Sequence, residues 1–187
     1  MRIEIISGSP RPNSVTRRVA THLLSRFNEI EGYSAGIIDM KDWELPAVQS
    51  VFVSVEKTPE PFRELSARVF AADAFVLVTP EYNGSYSPAM KNLLDYFPKR
   101  HRKPFGIVTA SPGGFGGIRA AQQLLLLIPG MFGIASPYML IVPGVERKFD
   151  EDGHLIDEAF ANNVHNFVSE FSWLADRLVG ETVDAIK

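Results

Sequence analysis

Three short segments of this chain carry the side chains best suited to chemistry, and each follows an apolar run: Ser7-Gly-Ser-Pro-Arg-Pro-Asn-Ser14, Thr79-Pro-Glu-Tyr-Asn-Gly-Ser85 and Ala110-Ser-Pro-Gly-Gly-Phe-Gly-Gly117. In the first, Ser9, Arg11, Ser14 and Thr16 offer hydroxyls and one guanidinium just where a helical pattern begins. Unpaired N–H groups and the positive end of the macrodipole make a helix start suited to phosphate. A guanidinium adds planar, bidentate grip. The same residues also fit a plain N-cap at Ser14 with Arg11 on the surface, and their spacing does not choose between the two. Neither Gly-x-x-x-x-Gly-Lys nor Gly-x-Gly-x-x-Gly is present, which weakens nucleoside triphosphate and dinucleotide readings. Pro80-Glu-Tyr-Asn83 brings a stiff backbone, an aromatic ring and an amide that both donates and accepts, properties that suit a flat heteroaromatic ring. Asn83-Gly84 is equally turn chemistry in its own right. The glycines after Ser111 let backbone approach a ligand closely, a weak signal when taken alone.

Positioning these segments requires strands that end together. Short apolar runs alternate with longer amphipathic stretches. The pattern predicts strands over Arg2–Ser7, Ser34–Asp39, Ala74–Thr79, Phe105–Ala110 and Tyr138–Val142, and helices over Val15–Ile30, Pro59–Ala72, Pro88–Phe97, Gly117–Ile128 and Asp157–Val179. Near-continuous runs such as Phe75-Val-Leu-Val78 belong to parallel sheets covered on both faces. Five βα units with right-handed crossovers give an α/β fold: a doubly wound, parallel, five-stranded sheet in the order 2-1-3-4-5, as the centre of a three-layer α/β/α arrangement. In such a sheet ligands bind outside the carboxyl ends of the strands, which is where all three segments fall. The Met40–Thr58 stretch fits either an extra strand or a packed loop.

The 187 residues are expected to form one domain, 1–187, with a full core. With no cysteine, thiolate nucleophiles, disulfide redox and Cys-based metal sites are excluded. His22, His101, His154 and His165 are scattered without metal-ligand spacing, so no metal is expected. A net charge of -3 argues against a nucleic-acid partner. No apolar stretch is long enough for a membrane span and the first residues do not read as a signal peptide, so a cytoplasmic setting is expected. The basic run Lys99-Arg-His-Arg-Lys103 precedes the fourth strand, at the end of the sheet opposite the three segments. On the fourth helix the spacing predicts a core stripe of Ile118, Ala121, Leu125 and Ile128, leaving Leu126 and Leu127 outward as a candidate subunit contact.

Gly8-Ser-Pro-Arg-Pro-Asn-Ser14, Thr79-Pro-Glu-Tyr-Asn-Gly-Ser85 with Lys91-Asn92 and Asp95, and Ser111-x-Gly-Gly-x-Gly-Gly-x-Arg-Ala120, in that order, resemble the NAD(P)H-dependent FMN reductase family over about residues 1–142. That family has the flavodoxin-like fold and includes bacterial quinone, azo-dye and chromate reductases. The resemblance implies that Ser9, Arg11, Ser14 and Thr16 hold the FMN phosphate. It implies that Pro80, Glu81, Tyr82 and Asn83 line the ribityl chain and ring, and that Ser111, Gly113 and Gly114 close from the other side. NAD(P)H would be the co-substrate, and free flavin, quinone or a similar small molecule the acceptor. Flavin N5 would carry the chemistry in a ping-pong sequence, with no catalytic side chain. Homodimers or homotetramers are implied. The chain departs from the family pattern at Ala47-Val-Gln-Ser50, after Leu45-Pro46, and along Gln122-Gln-Leu-Leu-Leu-Leu-Ile-Pro129. The alternative from another class is a flavodoxin-type electron carrier, against which Arg11 and the modest charge both argue.

Overall fold

The computed structural model describes residues 1–180, so residues 181–187 of the expected domain span lie outside the described residues. Chain order is β1 (Arg2–Ser7), α1 (Thr16–Asn28), β2 (Ser34–Asp39), α2 (Arg63–Ala71), β3 (Ala74–Thr79), α3 (Pro88–Asp95), β4 (Pro104–Ser111), α4 (Ile118–Gly130), β5 (Ile134–Ala135), β6 (Leu140–Pro143) and α5 (Ala161–Gly180). All strand pairs are parallel, in the order β2-β1-β3-β4 with β5 and β6 both on the outer edge of β4. The predicted fifth strand, Tyr138–Val142, corresponds to β6, and the two-residue β5, which was not predicted, shares the same edge of β4. Ser136-Pro137 interrupts the ladder, although the Ser136 amide still donates to the Phe105 carbonyl at 2.8 Å. This is a flavodoxin-like doubly wound sheet.

Period-two alternation divides the core between the two faces. Ile3, Ile5, Val76, Val78 and Val108 pack with Val19, Leu23 and Phe27 of α1 and Phe167 and Phe171 of α5. Ile6, Phe75, Leu77, Phe105 and Ile107 pack with Leu65 of α2, Leu93 of α3 and Leu124 of α4. The acidic residue of β1, Glu4, is buried, and Arg68 of α2 reaches over to pair with it at 2.5 Å. Gly106 gives α5 its seat, since a Cβ there would lie 2.9 Å from the Phe167 ring.

One open choice is decided and one expectation changes. Met40–Thr58 is a packed loop with no strand; side chain and backbone hold it against α3, with Phe52 N donating to Tyr96 O at 2.7 Å and Asn92 donating to Leu45 O and Pro46 O. On α4 the buried stripe is Ala120, Ala121, Leu124 and Ile128; Leu125 is exposed together with Leu126, whereas Ile118 is only half-buried and Leu127, expected outward, is half-buried against the core. Ala120 decides between positions 124 and 125: at 3.6 residues per turn Leu124 lies between Ala120 and Ile128 around the helix, whereas Leu125 lies beyond Ala121 on the side away from Ala120. The basic run lies as expected: Lys99 Nζ donates to Gly130 O, and the amides of Arg100 and Arg102 donate to Met131 O and Phe132 O beyond the end of α4.

Candidate functional site

The parallel register brings the ends of β1, β3 and β4 level, since Ser7 pairs with Val78 and Thr79 with Thr109. The loops that leave these ends are tied together. Gly8 N donates to Val78 O at 2.8 Å. Ser87, the N-cap of α3, accepts from Met90 N at 3.1 Å, and its hydroxyl donates to Gly8 O. Gly8 is required for this closeness, because a Cβ there would lie 2.5 Å from Met90 Cε.

A cavity of about 240 Å³ opens between the three loops, lined by Ser9, Arg11, Asn13, Ser14, Val15, Thr16, Pro80, Glu81, Tyr82, Ala110, Ser111 and Pro112. Eight of the predicted site residues meet there: Ser9, Arg11, Ser14, Thr16, Pro80, Glu81, Tyr82 and Ser111. Asn83, Gly113 and Gly114 do not line it. Asn83 and Gly84 form the left-handed tip of a tight hairpin (φ 51° and 82°), closed by reciprocal hydrogen bonds between Tyr82 and Ser85. Gly113 and Gly114 are exposed, with neither a positive φ nor a crowded Cβ position; in that loop Gly116 and Gly117 occupy the positive-φ positions. Asn13, Val15, Ala110 and Pro112 were not singled out in the sequence. Each is the immediate neighbour of a residue that was, which is the signal that could have found them.

The donors of the cavity are largely uncommitted. Val15, the N-cap of α1, provides no side-chain cap; the Arg17 and Arg18 amides donate to Ser14 O and Val15 O at 3.2 Å, which leaves the amides of Val15 and Thr16 unpaired among the described residues. Among the described residues Arg11 has no carboxylate within 4.0 Å; its guanidinium rests 4.9 Å from the centroid of the Tyr82 ring. The Tyr82 hydroxyl is buried with no hydrogen-bond partner. Glu81 differs, as its carboxylate accepts from the Arg119 amide (3.1 Å) and Nη1 (3.4 Å) at the start of α4. A free guanidinium, a bare helix start and several hydroxyls fit a phosphate monoester.

A second cavity of about 430 Å³ shares Asn13, Ser14 and Val15 but opens toward Glu151 and Asp152. Its two guanidiniums are engaged: Arg18 with Phe149 O (3.1 Å) and Glu151, Arg17 with Asp39 (3.0 Å). Burial pushes the Asp39 carboxyl up, while the Lys41 amide and the Arg17 guanidinium pull it back down. The smaller cavity therefore holds the available cation, and the larger one does not. Asp150, Asp152 and His154 also cluster, but Asp150 already accepts from the amides of Asp152 and His154 and from His154 Nδ1, as a turn requires.

A family model described as NADPH-dependent FMN reductase matches residues 1–144. The NADPH azoreductase of Bacillus sp. (strain OY1-2) is 31% identical over 172 residues, covering 91% of this chain and 90% of that protein. The FMN-dependent NADPH-azoreductase of Staphylococcus aureus (strain USA300) is 29% identical over 172 residues, covering 89% and 90%. Among solved structures, FerB, a flavoenzyme NAD(P)H:(acceptor) oxidoreductase from Paracoccus denitrificans, superposes with a TM-score of 0.77 at 23% identity, covering 94% of this chain and 97% of that one. A flavodoxin from Pseudomonas aeruginosa gives 0.55 at 20% identity, covering 92% and 99%. These two likenesses bear on the fold. No helix among the described residues is long and apolar enough to cross a membrane.

Proposed function

The chain belongs to the NADPH-dependent FMN reductase family, and from that premise we propose that the three-loop cavity holds FMN and that electrons from NAD(P)H pass there to a small planar acceptor: an azo compound, a quinone or free flavin. FMN-dependent NAD(P)H oxidoreduction is the activity of the family. The observation that carries the assignment to this cavity is its unpaired Arg11 beside an uncapped helix start.

When bound, FMN supplies two-electron redox chemistry between a reduced nicotinamide and an acceptor. The residues of this chain bind and orient. Ser9, Ser14 and Thr16 offer hydroxyl hydrogens to the phosphate, Val15 and Thr16 at the start of α1 offer amides, and Arg11 adds charge. Pro80, Glu81 and Tyr82 form one wall and Ser111 and Pro112 the facing one. Asn83, Gly113 and Gly114 follow lining residues in the chain and are exposed, free to meet whatever part of the ligand projects. Enclosed ligand clefts usually hold roughly 300–1,000 Å³. At about 240 Å³ this one leaves part of a tricyclic ligand outside, accessible to a second reactant. No side chain is assigned a covalent role. A cytoplasmic setting belongs to the same proposal, since the reaction consumes reduced nicotinamide.

The test is anaerobic addition of NADPH, and in parallel NADH, to the FMN-loaded protein, with flavin absorbance followed near its visible maximum. Bleaching, then recovery on addition of an azo dye or a quinone, is the expected result. Protein that binds FMN yet is bleached by neither nicotinamide would instead be an electron carrier.

We place a homo-oligomer contact on α4. Leu126 is 72% exposed and Leu125 38%, on a helix whose opposite side is in the core. Pairing of two such faces removes both leucines from water, about 1.5–3 kcal/mol for each that becomes fully buried. Leu126→Glu is expected to shift the sedimentation coefficient from that of a dimer toward that of a monomer. A wild-type protein that sediments as a monomer at tens of micromolar excludes the contact.

A further inference from the structure

The Glu81 carboxylate is committed to a partner across the cavity wall, and this gives it a role different from lining a ligand. Helix α4 starts at Gly117, which has no side chain to cap it. The Arg119 amide, in the first turn, finds its acceptor 38 residues away in Glu81 Oε2 at 3.1 Å, while Oε1 takes Arg119 Nη1 at 3.4 Å. A carboxylate at the positive end of a helix is favourably placed. The side chain of Glu81 is 17% exposed, so this pair is shielded on one side although Arg119 itself is 65% exposed. The same loops also run close together. A Cβ at Gly117 would lie 3.7 Å from Glu81 Cβ, and one at Gly84 would lie 3.7 Å from Arg119 Cδ.

We infer that Glu81 is a positioning residue: its carboxylate clamps the loop after β3 to the start of α4 and so sets the spacing of two of the three walls of the cavity. The inference rests on the flavin reading of that cavity for its effect on ligand, though not for the clamp itself. The clamp has a second consequence. An unpaired carboxylate in this wall would oppose an anionic ligand, and Arg119 neutralises it.

Glu81→Ala removes both acceptors and frees the start of α4. Loss of a charge-assisted hydrogen bond is expected to raise the FMN dissociation constant by about tenfold or more. Glu81→Gln retains one oxygen for the Arg119 amide and is expected to restore affinity to within about threefold of wild type. Glu81→Ala with Arg119→Ala should bind no more weakly than Glu81→Ala alone, because the two changes remove one shared interaction. The visible circular dichroism of bound FMN should weaken in Glu81→Ala and recover in Glu81→Gln. In flavin-free protein, amide hydrogens of Arg119 and the residues just after it should exchange faster in Glu81→Ala, with β3 and β4 unchanged. Unaltered exchange in Glu81→Ala, or FMN affinity within about twofold of wild type, overturns the clamp. A wild-type protein that does not bind FMN overturns the flavin reading instead, and the exchange data then judge the clamp by themselves.

Discussion

Gly116→Ala is expected to lower the melting temperature by about 6–12 °C, the result of losing about 3 kcal/mol in a chain of this size. Two costs add. Gly116 has φ +60°, a conformation that costs an alanine about 1–2 kcal/mol. A Cβ at this position would also lie 2.7 Å from Ile141 Cγ2, 2.8 Å from Pro143 N and 3.0 Å from Val142 C. Ile141 can turn its methyl away. The backbone of β6 cannot move so easily, because Val142 and Pro143 are paired with Ala110 and Ser111 of β4. Overpacking of this kind adds about 1–3 kcal/mol. The comparison is Gly114→Ala, two residues earlier: nothing lies within 4 Å of its Cβ position and its φ is ordinary, so its stability should change by less than about 0.5 kcal/mol. Scanning calorimetry on the pair decides the point. Melting of Gly116→Ala within about 2 °C of wild type would mean that the loop does not press on β6 as described.

That contrast shows what the sequence could and could not convey. Four glycines in Gly113-Gly-Phe-Gly-Gly117 look alike in the chain; only the three-dimensional path makes 116 and 117 obligatory and leaves 113 and 114 free. Strand β3 was legible to the residue, because an unbroken apolar run is bounded by Asp73 and Pro80. At the fifth sheet position the run Tyr138–Val142 pointed to β6, but β5 was missed, since Ser136-Pro137 separates it and two residues are too short to show a period. Pro59 and Pro61 similarly turn the start of the second predicted helix into a short 3₁₀ segment, Glu60–Phe62, ahead of α2. The packed loop 40–58 is held by Asn92 and Tyr96, contacts more than 40 residues distant that leave no periodic trace. Of the candidate site, the convergence of three loops followed from where their strands end, and chemistry-bearing residue types pointed to eight of the lining positions. The partner of Glu81 was invisible for the same reason as the loop contacts: a carboxylate in a sequence does not announce which helix it will cap.

Arg11→Ala is expected to raise the FMN dissociation constant by about 10–100-fold, corresponding to the 1.5–3 kcal/mol of a hydrogen bond to a charged group. In the present geometry the guanidinium rests on the Tyr82 ring, 4.9 Å from its centroid. At an exposed site that contact is worth about 0.5–1 kcal/mol. A phosphate reached from the same position offers more than leaving the ring costs, so the bound state wins and the net gain stays positive. Riboflavin separates this effect from any general damage to the cavity, because it lacks the phosphate. Its affinity should differ little between Arg11→Ala and wild type. Arg11→Lys keeps a charge but loses the planar fork, and should fall between the two for FMN. Because Arg11 is exposed, added salt should weaken FMN binding to wild type and flatten toward no effect in Arg11→Ala. Fluorescence titration of both flavins against all three proteins at low and high salt measures every one of these. Equal losses for FMN and riboflavin would remove Arg11 from the phosphate and leave it as a support for Tyr82.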